Sequence, residues 1–116
     1  MSQLGVYQLE LQHLGLSSRQ AYYDQAFARN IGILNPCEQE KLTRSKVAIP
    51  GMGGVGGSHL ITLVRSGVGR FHLADFDRFA PVNVNRQYGA KTTTFGRTKL
   101  EVMVDEALSI NPFLNI

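Results

Sequence analysis

Seven residues from Gly51 to Gly57, five of them glycine, follow the apolar run Val47-Ala48-Ile49 and open an apolar stretch suited to a helix. Only a residue without a β-carbon lets the backbone turn sharply at a strand end and also approach phosphate oxygens closely. The free N–H groups of the next helix then face the anion. Gly51, Gly53 and Gly56, with Gly54 among them, give a dinucleotide-type spacing, although such turns are common and often only structural. Context strengthens the reading. Arg70-Phe71-His72-Leu73-Ala74 reads as a second strand and delivers Asp75 close to the separation of about 20 residues that a ribose-binding acid needs. Asp75 can accept hydrogen bonds from ribose hydroxyls; capping the strand end is the plainer alternative. A P-loop does not fit, because Ser58-His59 supplies no lysine for the β- and γ-phosphates.

The elements that must hold these residues can be read in turn. Leucines 4, 9, 11, 14 and 16 are irregularly spaced, so residues 1–18 are expected as an ordered or partly ordered arm. Ser17 with Gln20 suggests a capping box for a helix over about 19–29, its stripe formed by Tyr22, Tyr23, Ala26 and Phe27. Asn35-Pro36-Cys37-Glu38 combines an N-cap, a proline at the first helical position and an early acid, which starts a second helix over about 36–43. Residues 19–45 thus read as N-terminal helices and 46–116 as a partial nucleotide-binding domain. Within the latter, strand one spans about 46–50, a helix runs over about 54–65 to a stop at Gly67, and strand two spans about 70–75. Leu100, Met103, Val104, Ala107 and Leu108 recur at i, i+3, i+4, i+7 and i+8, predicting a helix over about 97–110 that Asn111-Pro112 ends.

Phe113-Leu114-Asn115-Ile116 look like the opening of a third strand. The expected class is α/β, a Rossmann-like doubly wound parallel sheet apparently truncated after the start of that strand, with crossovers of right-handed sense. A parallel sheet needs cover on both faces, so the sequence suggests a truncated product or a sheet completed by a second chain.

Composition bounds the function. With 116 residues, 43% hydrophobic and 18% charged, the chain is at most one globular domain. Its formal charge of +3 comes from scattered Lys and Arg, which argues against a nucleic-acid partner. No apolar run is long enough for a membrane span and no secretory signal is visible. The lone Cys37 cannot form an internal disulfide, and the expected location is cytoplasmic. Cys37 reads as structural. His13, His59 and His72 are too dispersed to form a metal set, so no structural metal is expected.

Asp75-Phe76-Asp77, then Asn83-Val84-Asn85-Arg86-Gln87, then Gly96-Arg97-Thr98-Lys99, all after the glycine turn, resemble the ThiF/MoeB adenylyltransferases, relatives of the ubiquitin-activating enzymes. Tyr23 to Asn30 and Gln39 to Leu42 resemble that family's N-terminal helices, so the resemblance covers roughly residues 22–116. It implies activation of the C-terminal carboxylate of a ubiquitin-like or sulfur-carrier protein by Mg2+-bound ATP, with release of pyrophosphate, in a homodimer. It also implies roles: Asp75 on the ribose, Asp77 near the metal and phosphates, Asn83 and Arg86 on phosphates, Lys99 beside the α- and β-phosphates. Arg29 matches an arginine that reaches into the partner subunit's site. A guanidinium fork and an ammonium point charge both suit phosphate oxygens.

Each residue also has a plainer reading. Asp77 and Asn83 are turn formers, Arg86 and Lys99 are types usually found solvated, Arg29 could form a surface ion pair, and Met52 and Val55 read as packing residues. Pro50 departs from the family, as do the absent downstream aspartate and zinc-binding cysteines. Two rival functions stay open: a non-catalytic dimerisation or partner-binding module, and the NAD-binding half of a dehydrogenase, which leaves the 83–87 loop and Lys99 unexplained.

Overall fold

The computed structural model describes residues 3–116, with side chains from residue 5 onward. Its elements are α1 (Gln3–His13), α2 (Arg19–Ala26), α3 (Pro36–Arg44), β1 (Lys46–Pro50), α4 (Gly54–Ser66), β2 (Arg70–Ala74) and α5 (Lys99–Ile110), with short 3-10 turns at Ala28–Asn30 and Pro81–Asn83. Much of the expected arm is therefore helix α1. Its leucine spacing gives no stripe, yet it packs on α5, and the Tyr7 hydroxyl donates to Asp105 Oδ1 at 3.0 Å.

Local signals explain the helix boundaries. The Ser18 hydroxyl, rather than Ser17, caps α2 by accepting from Ala21 N–H at 3.1 Å. In α3 the Asn35 side chain accepts from Glu38 N–H while Glu38 accepts from Asn35 N–H, each at 2.9 Å, a reciprocal capping box with Pro36 in the first turn. Gly67 closes α4 at φ +103°, a left-handed C-cap. Thr98 caps α5 through Glu101 N–H.

β1 and β2 pair in parallel, Lys46 opposite Arg70 through Pro50 opposite Ala74, with α4 as the crossover. Side chains alternate. Ile49 and Phe71 enter the core, while Lys46, Ala48, Arg70 and His72 are exposed on the other face. Beneath the covered face, Leu60, Ile61 and Val64 of α4 meet Val102, Met103 and Ala107 of α5, together with Met52, Val68 and Phe79. Val102 belongs to this core although the sequence stripe omitted it. The third strand is present as one parallel bridge, Arg70 with Asn115, in which Phe71 N–H donates to the Asn115 carbonyl at 2.8 Å.

Candidate functional site

The glycine turn is built by close approach. Gly51 has φ +102°, where a side chain is strained. A β-carbon on Gly56 would overlap the Gly51 carbonyl oxygen and lie 2.8 Å from its carbon, so α4 can start this near the end of β1 only with glycine there. Gly53 is the N-cap of α4 and offers no side-chain cap, which leaves the first N–H groups of the helix without the usual side-chain acceptor. Met52 is fully buried beneath the turn, as expected, whereas Val55 is 69% exposed. Val55 stands in the first turn of α4 on its outer side, which glycine-rich spacing alone does not reveal.

Asp75 fastens the turn to the end of β2. One carboxylate oxygen accepts from Met52 N–H and the other from Asp77 N–H, both at 2.7 Å. Each oxygen keeps a further lone pair for a ligand hydroxyl. Asp75 is thus a structural cap at the strand end, the plainer of the two readings from sequence.

The 83–87 loop docks on the same turn. A β-carbon on Gly54 would lie 3.7 Å from the Arg86 carbonyl oxygen, and one on Gly53 would lie 3.5 Å from Gln87 Nε2. Asn83 is buried, and its Oδ1 accepts from Ala80 N–H at 2.9 Å, a turn-forming bond that fixes the loop. Arg86 is exposed; its guanidinium touches the Val82 carbonyl and Asn85 Oδ1 and forms no ion pair among the described residues. Gln87 is 8% exposed, and its Oε1 is buried with no hydrogen-bond partner. Sequence reasoning passed over Gln87; its one available signal was its place beside Arg86 in the loop.

Lys99 opens α5 and is buried, its Nζ 3.9 Å from Asp77 Oδ2 and 5.8 Å from the centre of the Phe79 ring. Its position is set by the backbone: Phe79 N–H donates to the Arg97 carbonyl, and Lys99 N–H to the Asp77 carbonyl at 2.9 Å. The Asp77 side chain is 79% exposed. Arg29 stands apart. The neighbouring Asn30 side chain bonds the Ser66 carbonyl at the C-terminal end of α4, and a 13-residue helix is about 20 Å long, so Arg29 lies far from this chain's own turn.

A shallow cleft of about 310 Å³ opens at the carboxyl ends of both strands, lined by Pro50, Gly51, Ala74, Asp75, Phe76 and Asp77. Open α/β sheets bind ligands at this end of the strands. A larger cavity, about 450 Å³ between α2 and α3, is lined by Tyr23, Phe27, Ile31 and Gln39 among others, and the glycine turn and its basic residues do not reach it. Cys37 is exposed and therefore contributes no core packing. No cluster of three or more His, Cys, Asp or Glu side chains occurs among the described residues, and no helix there is long and apolar enough to cross a membrane.

The ThiF family model matches residues 27–116. The chain belongs to the ThiF family. It is 42% identical over 86 residues to tRNA threonylcarbamoyladenosine dehydratase of Bacillus subtilis, covering 74% of this chain and 34% of that protein. Over 78 residues it is 38% identical to molybdopterin-synthase adenylyltransferase of Escherichia coli, covering 67% of this chain and 31% of that protein. The solved structure of E. coli tRNA N6-threonylcarbamoyladenosine dehydratase in complex with ATP superposes with a TM-score of 0.77 at 29% identity, over 80% of this chain and 38% of that one. The fold is the Rossmann-like α/β fold of this family, and the chain spans between about a fifth and a third of the length of the curated relatives it matches.

Proposed function

We propose that this ThiF-family chain forms the ATP-binding part of an enzyme that adenylates a carboxylate, at the C-terminus of a ubiquitin-like or sulfur-carrier protein. The observation that carries the proposal is the gathering of three separate segments around the cleft at the carboxyl ends of the strands: Asp75 bonded to Met52 of the turn, the 83–87 loop packed on Gly53 and Gly54, and Lys99 beside the cleft residue Asp77. The uncapped start of α4 suits a polyphosphate.

The residues divide the work by chemistry. Gly51 makes the sharp turn, its own N–H spent on the Ala74 carbonyl, and Gly53, Gly54 and Gly56 bring backbone N–H groups to the phosphates. Asp75 takes ribose hydroxyls on its remaining lone pairs, and the Asn83 amide nitrogen remains free to donate, since only its oxygen caps the loop. Arg86 and Lys99 stabilise charge that grows on the pyrophosphate leaving group as the carboxylate oxygen attacks the α-phosphorus. Asp77 suits Mg2+, which is commonly held by one or two carboxylates plus substrate phosphates and which supplies further charge neutralisation when bound. Arg29, remote from its own cleft, is assigned to the cleft of a second copy in a homodimer. The proposed location is cytoplasmic.

A second reading is that the target group is carried on a tRNA. The names of the Haemophilus influenzae and B. subtilis relatives, both tRNA threonylcarbamoyladenosine dehydratases, favour it.

Calorimetry of the purified chain with Mg-ATP, using NAD as control and light scattering on the same sample, tests the proposal. Micromolar ATP binding by a dimer, with NAD silent, is the expected result. Arg86→Ala should weaken ATP about 10- to 100-fold, the size of a hydrogen bond to a charged group, while circular dichroism stays unchanged because the side chain is exposed. Preferential NAD binding would indicate a dehydrogenase half, and a folded dimer that binds neither would indicate an interaction module.

A further inference from the structure

We infer that the cavity between α2 and α3 is a binding site for a small organic cation, a quaternary or methylated ammonium group. The inference is independent of the ATP-binding reading, because the cavity lies at the other end of α4. Phe27 in its wall packs where a β-carbon on Gly67, the C-cap of that helix, would meet the ring at 3.6 Å. At about 450 Å³ the cavity is of a size that small molecules fill. Its floor needs no ligand. The Gln39 amide donates to the Ser66 carbonyl at 3.3 Å and accepts from the Asn30 amide at 3.0 Å, and the Thr43 hydroxyl donates to the Gln39 carbonyl at 3.2 Å.

What the walls leave open is aromatic, apolar and anionic. Tyr23 and Phe27 meet at 82° with ring centres 5.2 Å apart and so form a corner, and Ile31 and Pro36 add solvent-exposed apolar surface. The Arg19 guanidinium lies 5.1 Å from the centre of the Tyr23 ring, and both residues line the cavity. The chain therefore already seats a cation of its own on this ring. Arg19 is exposed and forms no ion pair among the described residues, and a cation on a ring face in contact with water is held weakly. Two carboxylates, Asp24 and Glu40, stand in the same lining. Asp24 spends one oxygen on the Gln20 amide at 2.7 Å, and Glu40 is paired with Arg44 at 3.6 Å in an exposed contact. A trimethylammonium group meets all three features. Its methyls suit the ring corner, its charge suits the carboxylates, and it carries no N–H that would need an acceptor in the wall.

Wild-type protein, Arg19→Ala and Asp24→Asn are titrated with choline and with neohexanol, its uncharged analogue in which carbon replaces the nitrogen, while backbone amide shifts are followed by nuclear magnetic resonance. Choline should shift Tyr23, Phe27 and Thr43 saturably and bind about 5- to 10-fold more tightly than neohexanol. Asp24→Asn keeps an acceptor for Gln20 and should weaken choline about 2- to 5-fold without changing neohexanol. Arg19→Ala clears the ring face and should tighten choline about 2- to 5-fold. Both side chains are exposed, so circular dichroism should stay unchanged. Tyr23 itself is left in place, because its hydroxyl accepts from the buried Asn111 amide at 2.9 Å. Equal affinity for choline and neohexanol, weaker choline binding in Arg19→Ala, or shifts that saturate only around Gly51 and Asp75 would overturn the inference. So would the absence of any saturable shift, or tighter binding of tert-butylacetate, the anionic member of the series.

Discussion

Replacing Gly56 with alanine sets two terms against each other. Gly56 lies in the first turn of α4, where helix propensity alone favours alanine by about 1 kcal/mol. Against this, the new methyl would overlap the Gly51 carbonyl oxygen, lie 2.8 Å from its carbon and press within 3.3 Å of Ile49 Cγ2. The first two obstacles are backbone, which cannot swing aside as a flexible side chain would, so the turn or the start of α4 must move. Overpacking of this kind costs about 1–3 kcal/mol and occasionally more. Movement of the turn also strains the bond from Gly51 N–H to the Ala74 carbonyl at 2.6 Å and that from Met52 N–H to Asp75 at 2.7 Å. A hydrogen bond to a charged group contributes about 1.5–3 kcal/mol. The net expectation is a loss of roughly 2–4 kcal/mol. With a urea m-value of about 2 kcal/mol/M, the middle of the usual range, the unfolding midpoint followed by circular dichroism should fall by roughly 1–2 M. Gly54→Ala is the internal control. Its methyl would meet the Arg86 carbonyl oxygen at 3.7 Å and Arg86 Cγ at 3.8 Å, ordinary contact, so its midpoint should stay level or rise slightly. A Gly56→Ala midpoint equal to or above wild type, with Gly54→Ala the more damaging change, would refute the close-approach argument.

Three further outcomes are expected. Gln87→Leu removes a buried acceptor that has no partner, a burden of about 1–3 kcal/mol, and should raise the melting temperature of the ligand-free chain by a few degrees in scanning calorimetry; a lower melting temperature would show that the amide is satisfied after all. Asp75→Ala deletes both 2.7 Å bonds to backbone N–H groups and should cost about 2–4 kcal/mol in urea unfolding, with Asp75→Asn costing less because it retains an acceptor. Burial raises the Tyr22 hydroxyl pKa above its ordinary value of 10.0, with the neighbouring Tyr23 adding to the shift and Arg65 opposing it, and the hydroxyl donates to the Ile110 carbonyl. The folded state therefore holds this proton more tightly than the unfolded state. The stability it contributes is fully present below pH 10 and is lost as pH rises through the raised value, so unfolding midpoints should be flat near neutrality and fall at alkaline pH in wild type more than in Tyr22→Phe.

Where the sequence carried a local physical signal, the structure follows it. Asn35, Pro36 and Glu38 specify the start of α3 within one turn of chain, and the boundaries of β1 and α4 follow from apolar runs bounded by glycine. Features set by tertiary contact were hidden. Helix α1 carries no apolar stripe of its own and packs on α5, and Val102 enters the core where α5 packs on α4. Adjacent serines gave no basis for choosing Ser18 over Ser17 as the cap. At the site, spacing announced the turn and Asp75, but two things needed three dimensions: that Gln87 would be buried against Gly53, and that Arg29 would lie beside the far end of α4.

The Asp75 carboxylate has a kinetic consequence. By bonding Met52 after β1 and Asp77 after β2, it joins two loops that would otherwise fluctuate separately into one preformed lip. A ligand arriving there has little backbone to order, so less of its contact energy is spent on immobilising the receptor. Association should then follow a single exponential whose rate rises linearly with ligand concentration, without the plateau that a slow closing step imposes.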